Sequence, residues 1–87
     1  MNGHSENVCL ILGALITAHP DPLWVATIAG FTGLNRGTVS RTLKRMAAYQ
    51  LIVQTPDPMT YGFTKAMNSS LTPTGVLEAQ QHGTFPP

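Results

Sequence analysis

The sequence predicts a single small α+β domain that is mostly helical, with a three-helix core, a β-hairpin and a C-terminal helix. Three observations carry this prediction. The chain has 87 residues, which leaves no room for a second hydrophobic core, since domains typically run about 100 to 150 residues. Apolar residues recur at helical spacing in the first half of the chain. A stretch rich in β-branched residues follows and ends at closely spaced prolines, which is typical of a strand and a turn.

The first helix is predicted over Glu6 to Ala18, with Ser5 as its N-cap and an end before Pro20. Its side chains are apolar around most of the circumference, which is more than a helix lying on one side of a small domain can bury. We therefore expect a homodimer interface along this helix. The alternative is that it is the central helix of the core, covered by its own chain.

This apolar helix has the features of neither a membrane span nor an export signal. It is shorter than the ~20 residues that cross a bilayer. Residues 1–7 include Glu6 but no Lys or Arg, whereas export signals begin with positive charge. Cys9 is the single cysteine, which fits a reducing compartment. We expect a cytoplasmic protein that makes no contact with a membrane.

A short second helix is predicted over residues 23–31. The turn before it, residues 19–22, contains two prolines and Asp21, whose side chain is expected to cap the helix. Trp24 is expected to be buried at the start of the helix, because an aromatic side chain buries a large apolar area.

The third helix is predicted over residues 36–49, after a break in which Gly33 suits a left-handed backbone and Asn35 suits an N-cap. Apolar residues recur on one side of this helix with the period of an amphipathic helix, namely Val39, Leu43 and Met46. The opposite side is polar and basic, and consists of Arg36, Gly37, Ser40, Arg41, Lys44 and Arg45. The basic residues are therefore expected on one exposed surface.

A hairpin is predicted after the third helix. Its first strand is residues 51–54, and the prolines of residues 55–58 force a turn. The return strand is either residues 60–64 or Met67 to Leu71, and we prefer the second, which leaves a long tip that contains Lys65.

The last helix is predicted from Thr72, its N-cap, to about residue 81, with Pro73 at the first helical position, where its fixed φ is already helical. Residues 1–4 and 82–87 contain Gly, Pro and polar residues without periodicity. We expect them to be flexible ends of one domain that spans residues 1–87.

The positive charge of the chain is concentrated in one segment. Net charge is only +1, but all five cations fall between residues 36 and 65, and four of them within residues 36–45. A basic face on a nearly neutral body is typical of a protein that binds a polyanion.

Two short helices joined by a glycine-containing turn, the second with a basic exposed face, form a helix-turn-helix arrangement. The small, glycine and apolar residues of this arrangement have the spacing of a helix-turn-helix, namely Ala29, Gly33, Leu34 and Val39. The segment Leu-Thr-Pro-Thr-Gly follows at residues 71–75. On these residues the chain resembles the winged helix-turn-helix family of DNA-binding regulators, including its small MarR-like members, over roughly residues 23–79.

The resemblance implies a transcriptional regulator, such as a repressor, that binds a double-stranded DNA operator with the helix of residues 36–49 in the major groove. Base edges are expected to be contacted by Arg36, Ser40 and Arg41, and a thymine methyl by Thr38. The other cations are expected to contact phosphates, namely Lys44, Arg45 and Lys65. So few cations bind DNA weakly in a monomer, which favours a homodimer.

The sequence shows no arrangement of catalytic or metal-ligating residues, so we expect neither an enzyme nor a metal or cofactor site. Two alternatives to an operator-binding regulator remain open. The first is a winged-helix module that docks on another protein, suggested by the low total charge. The second is an architectural DNA-binding protein with weak sequence selectivity.

Overall fold

The computed structural model describes residues 5–56 and 67–84, which form four α-helices and a three-stranded antiparallel sheet. In chain order the elements are α1 (Glu6–Ala18), β1 (Leu23–Trp24), α2 (Val25–Thr32), α3 (Arg36–Ala48), β2 (Ile52–Pro56), β3 (Met67–Leu71) and α4 (Pro73–His82). The predicted α+β class, with a three-helix core, a hairpin and a C-terminal helix, is confirmed.

The first helix, α1, is the central helix of the core. The Ser5 hydroxyl accepts a hydrogen bond from the Val8 N–H at its start, as predicted. Ile11, Leu12 and Leu15 are at most 1% exposed, and α2, α3, α4 and β3 all pack against this helix. Its own chain therefore covers most of the apolar circumference, and Cys9, Leu10 and Ile16 are half-buried. The reason for expecting a second copy along Glu6–Ala18 was wrong, because the side chains that suggested an interface belong to the core.

The C-terminal end of the described chain packs on α1. Helix α4 continues to His82, and the Thr84 N–H donates a hydrogen bond of 2.9 Å to the Cys9 carbonyl oxygen. Gly13 permits this contact, because a Cβ there would overlap the Thr84 carbonyl. The prediction of a flexible end was thus wrong for residues 82–84. Residues 1–4 and 85–87 lie outside the described part of the chain.

The segment before α2 is a strand, where the sequence predicted helix. Leu23 pairs with Ser69 of β3, and Trp24 pairs with Asn68. Successive side chains of a strand point to opposite faces, so Leu23 turns toward the core and Trp24 away from it. Trp24 is 46% exposed, and its expected burial was wrong. It also occupies the N-cap position of α2 without a side-chain bond, so Asp21 is not the cap.

The sheet has the strand order β1-β3-β2. Strands β2 and β3 pair antiparallel from Ile52↔Leu71 to Pro56↔Met67, which confirms Met67–Leu71 as the return strand of the hairpin. The buried side chains Ile52, Ser69 and Leu71 turn one face of the sheet toward the helices. The tip of the hairpin, with Lys65, lies outside the described residues.

Helix α4 begins as predicted. The Thr72 hydroxyl accepts a hydrogen bond of 3.0 Å from the Gly75 N–H, and Pro73 stands in the first turn. The Thr72 N–H donates to the Leu51 carbonyl oxygen, which joins α4 to the start of the hairpin. Across the described ranges, we find no helix with the length and apolar character of a bilayer span.

Candidate nucleic-acid interface

The turn between α2 and α3 has the geometry expected of a helix-turn-helix. Gly33 has a φ of 76°, and its N–H donates to the Ala29 carbonyl oxygen at 2.9 Å. Glycine adopts this left-handed conformation without the steric cost that a Cβ brings. The Thr32 hydroxyl accepts from the Leu34 N–H, which directs the chain into α3.

Asn35 starts α3. Its Oδ1 atom accepts a hydrogen bond of 2.7 Å from the Thr38 N–H, and its backbone is extended, as at an N-cap. The first turn of α3 is therefore held by a local side-chain contact.

Replacing Asn35 with alanine should remove this cap and lower the free energy of unfolding by about 1 kcal/mol. In a domain of this size that loss lowers the melting temperature by roughly 4–8 °C, measured by circular dichroism. Asn35→Ser is the matched control, because serine also caps helices well and should retain most of the stability. An unchanged melting temperature for Asn35→Ala, relative to the unmodified chain, would show that the cap contributes nothing.

One side of α3 is buried in the core. Val39, Leu43 and Met46 have no exposed surface, as the apolar spacing predicted. Thr42 is also buried, at 8% exposure, and its hydroxyl donates a hydrogen bond of 2.8 Å to the Thr38 carbonyl oxygen. Because the hydroxyl is satisfied within the helix, Thr42 packs as an apolar residue would. Hydropathy alone gives no signal for this position.

The other side of α3 carries the predicted DNA-binding residues. Arg36, Arg41, Lys44 and Arg45 are exposed, whereas Thr38 and Ser40 are partly buried; Lys65 lies outside the described residues. Arg41 extends back toward the start of the helix. Its Nη1 atom lies 3.6 Å from the position that a Cβ of Gly37 would take. The structure thus places six of the seven predicted residues on one helix.

The basic side of α3 keeps its charge unpaired within the described chain. Glu78 Oε2 and His82 Nε2 lie 3.6 Å apart on α4. No acidic side chain of residues 5–56 or 67–84 pairs with a cation of α3. Unpaired arginine and lysine side chains are free to bind the oxygens of an anionic partner.

The dimensions of α3 suit the major groove of DNA. A helix of 13 residues is about 20 Å long and about 10–12 Å wide with its side chains. The major groove of B-form DNA is about 12 Å wide and accepts one helix. The helices α1 and α2 and strand β2 pack against α3. They leave the side with the four cations exposed.

Several solved structures are similar to this chain. No protein-family model and no curated protein sequence matches the chain. Among solved structures, the chain is similar to the DNA complex of MepR from Staphylococcus aureus, with 25% identity and a TM-score of 0.77. It is also similar to PcaV from Streptomyces coelicolor in complex with its natural ligand, with 23% identity and a TM-score of 0.75. Heme-free PefR is similar at 16% identity, with a TM-score of 0.74.

These similarities cover most of this chain and a smaller part of each neighbour. The MepR match covers 88% of this chain and 54% of MepR, and the PcaV match covers 93% and 53%. The PefR match covers 88% of this chain and 64% of PefR. The chain therefore spans little more than half the length of MepR and PcaV. These neighbours are MarR-family winged-helix transcription regulators, and the chain has their winged helix-turn-helix fold.

Proposed function

We propose that this protein is a sequence-specific, double-stranded DNA-binding transcription regulator that acts as a homodimer and inserts α3 into the major groove. The observation that carries the proposal is the row of exposed, unpaired cations on α3. The likeness to MepR, which has been solved in complex with DNA, supports it.

The proposed base contacts come from the first half of α3. Arg36 and Arg41 are exposed and can each donate two parallel hydrogen bonds to a guanine. Ser40 can donate or accept beside them. The N-cap oxygen of α3 comes from Asn35, so the Thr38 side chain is not needed as the cap and can present its methyl group to a thymine.

The proposed phosphate contacts come from the second half of α3. Lys44 and Arg45 lie about a turn beyond Arg41 and are exposed. Flexible cations at this distance from the base contacts bind backbone oxygens, which fixes the position of the helix without reading sequence. Lys65 stays a proposed phosphate contact from the hairpin.

A homodimer follows from the small number of cations. One copy offers four described cations on α3, too few for tight binding at physiological salt, whereas two copies double the contacts and set half-sites about 34–36 Å apart. Since α1 is occupied by the core, we assign the dimer contact to exposed apolar surface of α4, where Leu77 is 59% exposed.

A salt titration tests both the DNA binding and the number of copies. The logarithm of the binding constant should fall with the logarithm of salt concentration. The slope should be about −3 for one copy and about −5 for two, since each copy has three proposed phosphate contacts and each neutralised phosphate contributes about −0.9. The variant Lys44→Ala/Arg45→Ala should reduce the slope by about 2 per copy. Fluorescence anisotropy with a labelled duplex measures both.

The matched control is Thr17→Ala, which changes an exposed polar residue of α1, an element with no part in the proposed DNA or dimer contacts, and should leave the slope unchanged. An affinity that does not depend on salt would contradict DNA binding and favour a module that docks on protein. A preference below about 100-fold over random duplex would contradict operator recognition and favour an architectural protein.

A further inference from the structure

Gly37 is the second residue of α3, and the described structure gives no internal reason for a glycine there. Among the described residues, Gly33 is the glycine with positive φ, so the backbone at Gly37 does not need one. A Cβ at Gly37 would lie 3.4 Å from Asn35 Oδ1 and 3.6 Å from Arg41 Nη1, which are ordinary contact distances. Alanine would therefore fit the isolated protein.

Gly75, in contrast, is a glycine that packing within the protein requires. A Cβ at Gly75 would overlap the Leu51 carbonyl oxygen, so the packing of α4 on the start of the hairpin requires glycine. Gly37 is exposed and meets no such neighbour. Glycine is also among the poorest helix formers, so its presence in α3 works against the helix without a gain in packing.

The position of Gly37 on α3 suggests that a bound partner, and not a contact within the protein, requires glycine there. It lies between the two arginines proposed to read bases, beside Arg36 in sequence and next to the Arg41 guanidinium in space. A base atom that accepts a hydrogen bond from Arg41 lies about 2.9 Å from the donating nitrogen. A base atom bound by this Nη1 therefore lies within about 6.5 Å of the position that a Gly37 Cβ would take, which is within reach of a larger side chain there.

We propose that Gly37 is a specificity-determining position at which the base edges of the major groove approach the backbone of α3 directly. The inference rests on the proposed function and deepens it, because it places the closest approach of the duplex at the start of α3. Glycine has this role where a ligand and a backbone must come close together.

The DNA affinities of Gly37 variants test the proposal, and the matching Gly30 variants serve as controls. Gly30 is exposed on α2, and a Cβ there would meet nothing within 4 Å. Gly37→Ala should weaken binding about 10-fold and Gly37→Leu about 100-fold, while Gly30→Ala and Gly30→Leu stay within about twofold. The probe is a labelled duplex selected by the unmodified chain from a random-sequence pool. All four variants should melt at or above the temperature of the unmodified chain, because each replaces glycine in a helix.

An Arg41→Ala background separates a direct effect from one transmitted through Arg41. At low salt, where phosphate contacts keep a measurable affinity, Gly37→Ala should still weaken binding by a similar factor. Loss of the effect in this background would overturn the proposal, because Gly37 would then act only by positioning the guanidinium.

The other outcomes are equally distinct. Full binding by both Gly37 variants overturns this inference and leaves the proposed function standing, provided that the unmodified chain binds the duplex. Failure of the unmodified chain to select any duplex overturns the proposed function and this inference together. Alanine keeps the test valid if leucine disturbs the helix start, because the alanine Cβ clears both neighbouring atoms.

Discussion

Arg36→Ala/Arg41→Ala should lower the preference for the selected duplex over a scrambled one by about 30-fold to 10⁴-fold for each half-site. Each bidentate arginine–guanine pair is worth about 1–3 kcal/mol of discrimination, and the variant removes two of them from each half-site. Both side chains are exposed, so their truncation leaves no cavity in the core, and the melting temperature should stay within a few degrees.

Gel-shift competition between the two duplexes measures this preference. Lys44→Ala/Arg45→Ala is the matched control, because it removes the same number of cations from the same helix. It should weaken binding to both duplexes equally, since phosphate contacts carry no sequence information. An unchanged preference in the Arg36/Arg41 variant would contradict the assignment of these residues to base edges.

Leu12→Ala should have the largest effect on stability. Leu12 has no exposed surface and lies in the core cluster of α1, so truncation removes its burial and leaves a cavity. Such substitutions cost about 2–5 kcal/mol, out of a total of about 5–15 kcal/mol for a typical domain. A loss of about 3 kcal/mol lowers the melting temperature by roughly 12–24 °C.

Leu77→Ala makes the same chemical change on α4, where the side chain is 59% exposed. It should cost less than about 1 kcal/mol in the monomer, because little apolar surface returns to water. Thermal unfolding followed by circular dichroism, at low protein concentration, compares the two variants. Similar melting temperatures for Leu12→Ala and Leu77→Ala would contradict the assignment of α1 to the core. They would favour the alternative in which α1 forms an interface between copies.

Most of the candidate site could be predicted from sequence because its signals are local. Asn35 caps a helix by bonding to the N–H three residues later, and Gly33 makes the turn through its own φ. The inner and outer sides of α3 follow from helical periodicity, which places Val39 inside and Arg36 outside. Thr42 was the exception, because its burial depends on a hydroxyl that is satisfied within the helix.

The errors fell where distant parts of the chain meet. Leu23 and Trp24 form a strand because β3, more than 40 residues later, offers backbone partners at Ser69 and Asn68. A short segment has too little helical preference of its own to resist such pairing. Residues 82–84 pack on α1, where the Thr84 N–H donates a hydrogen bond to the Cys9 carbonyl oxygen. No local sequence pattern predicts a hydrogen bond between residues this far apart.

By itself the sequence determined α1, α3 and α4 with their N-caps and the basic face of α3, since these depend on contacts within three or four residues. Only the tertiary structure decided that α1 is a core helix and that Trp24 faces outward. Apolar character is the same whether a side chain is covered by its own chain or by a partner, so pattern alone could not distinguish the two. The packing of α2, α3, α4 and β3 around α1 made that distinction.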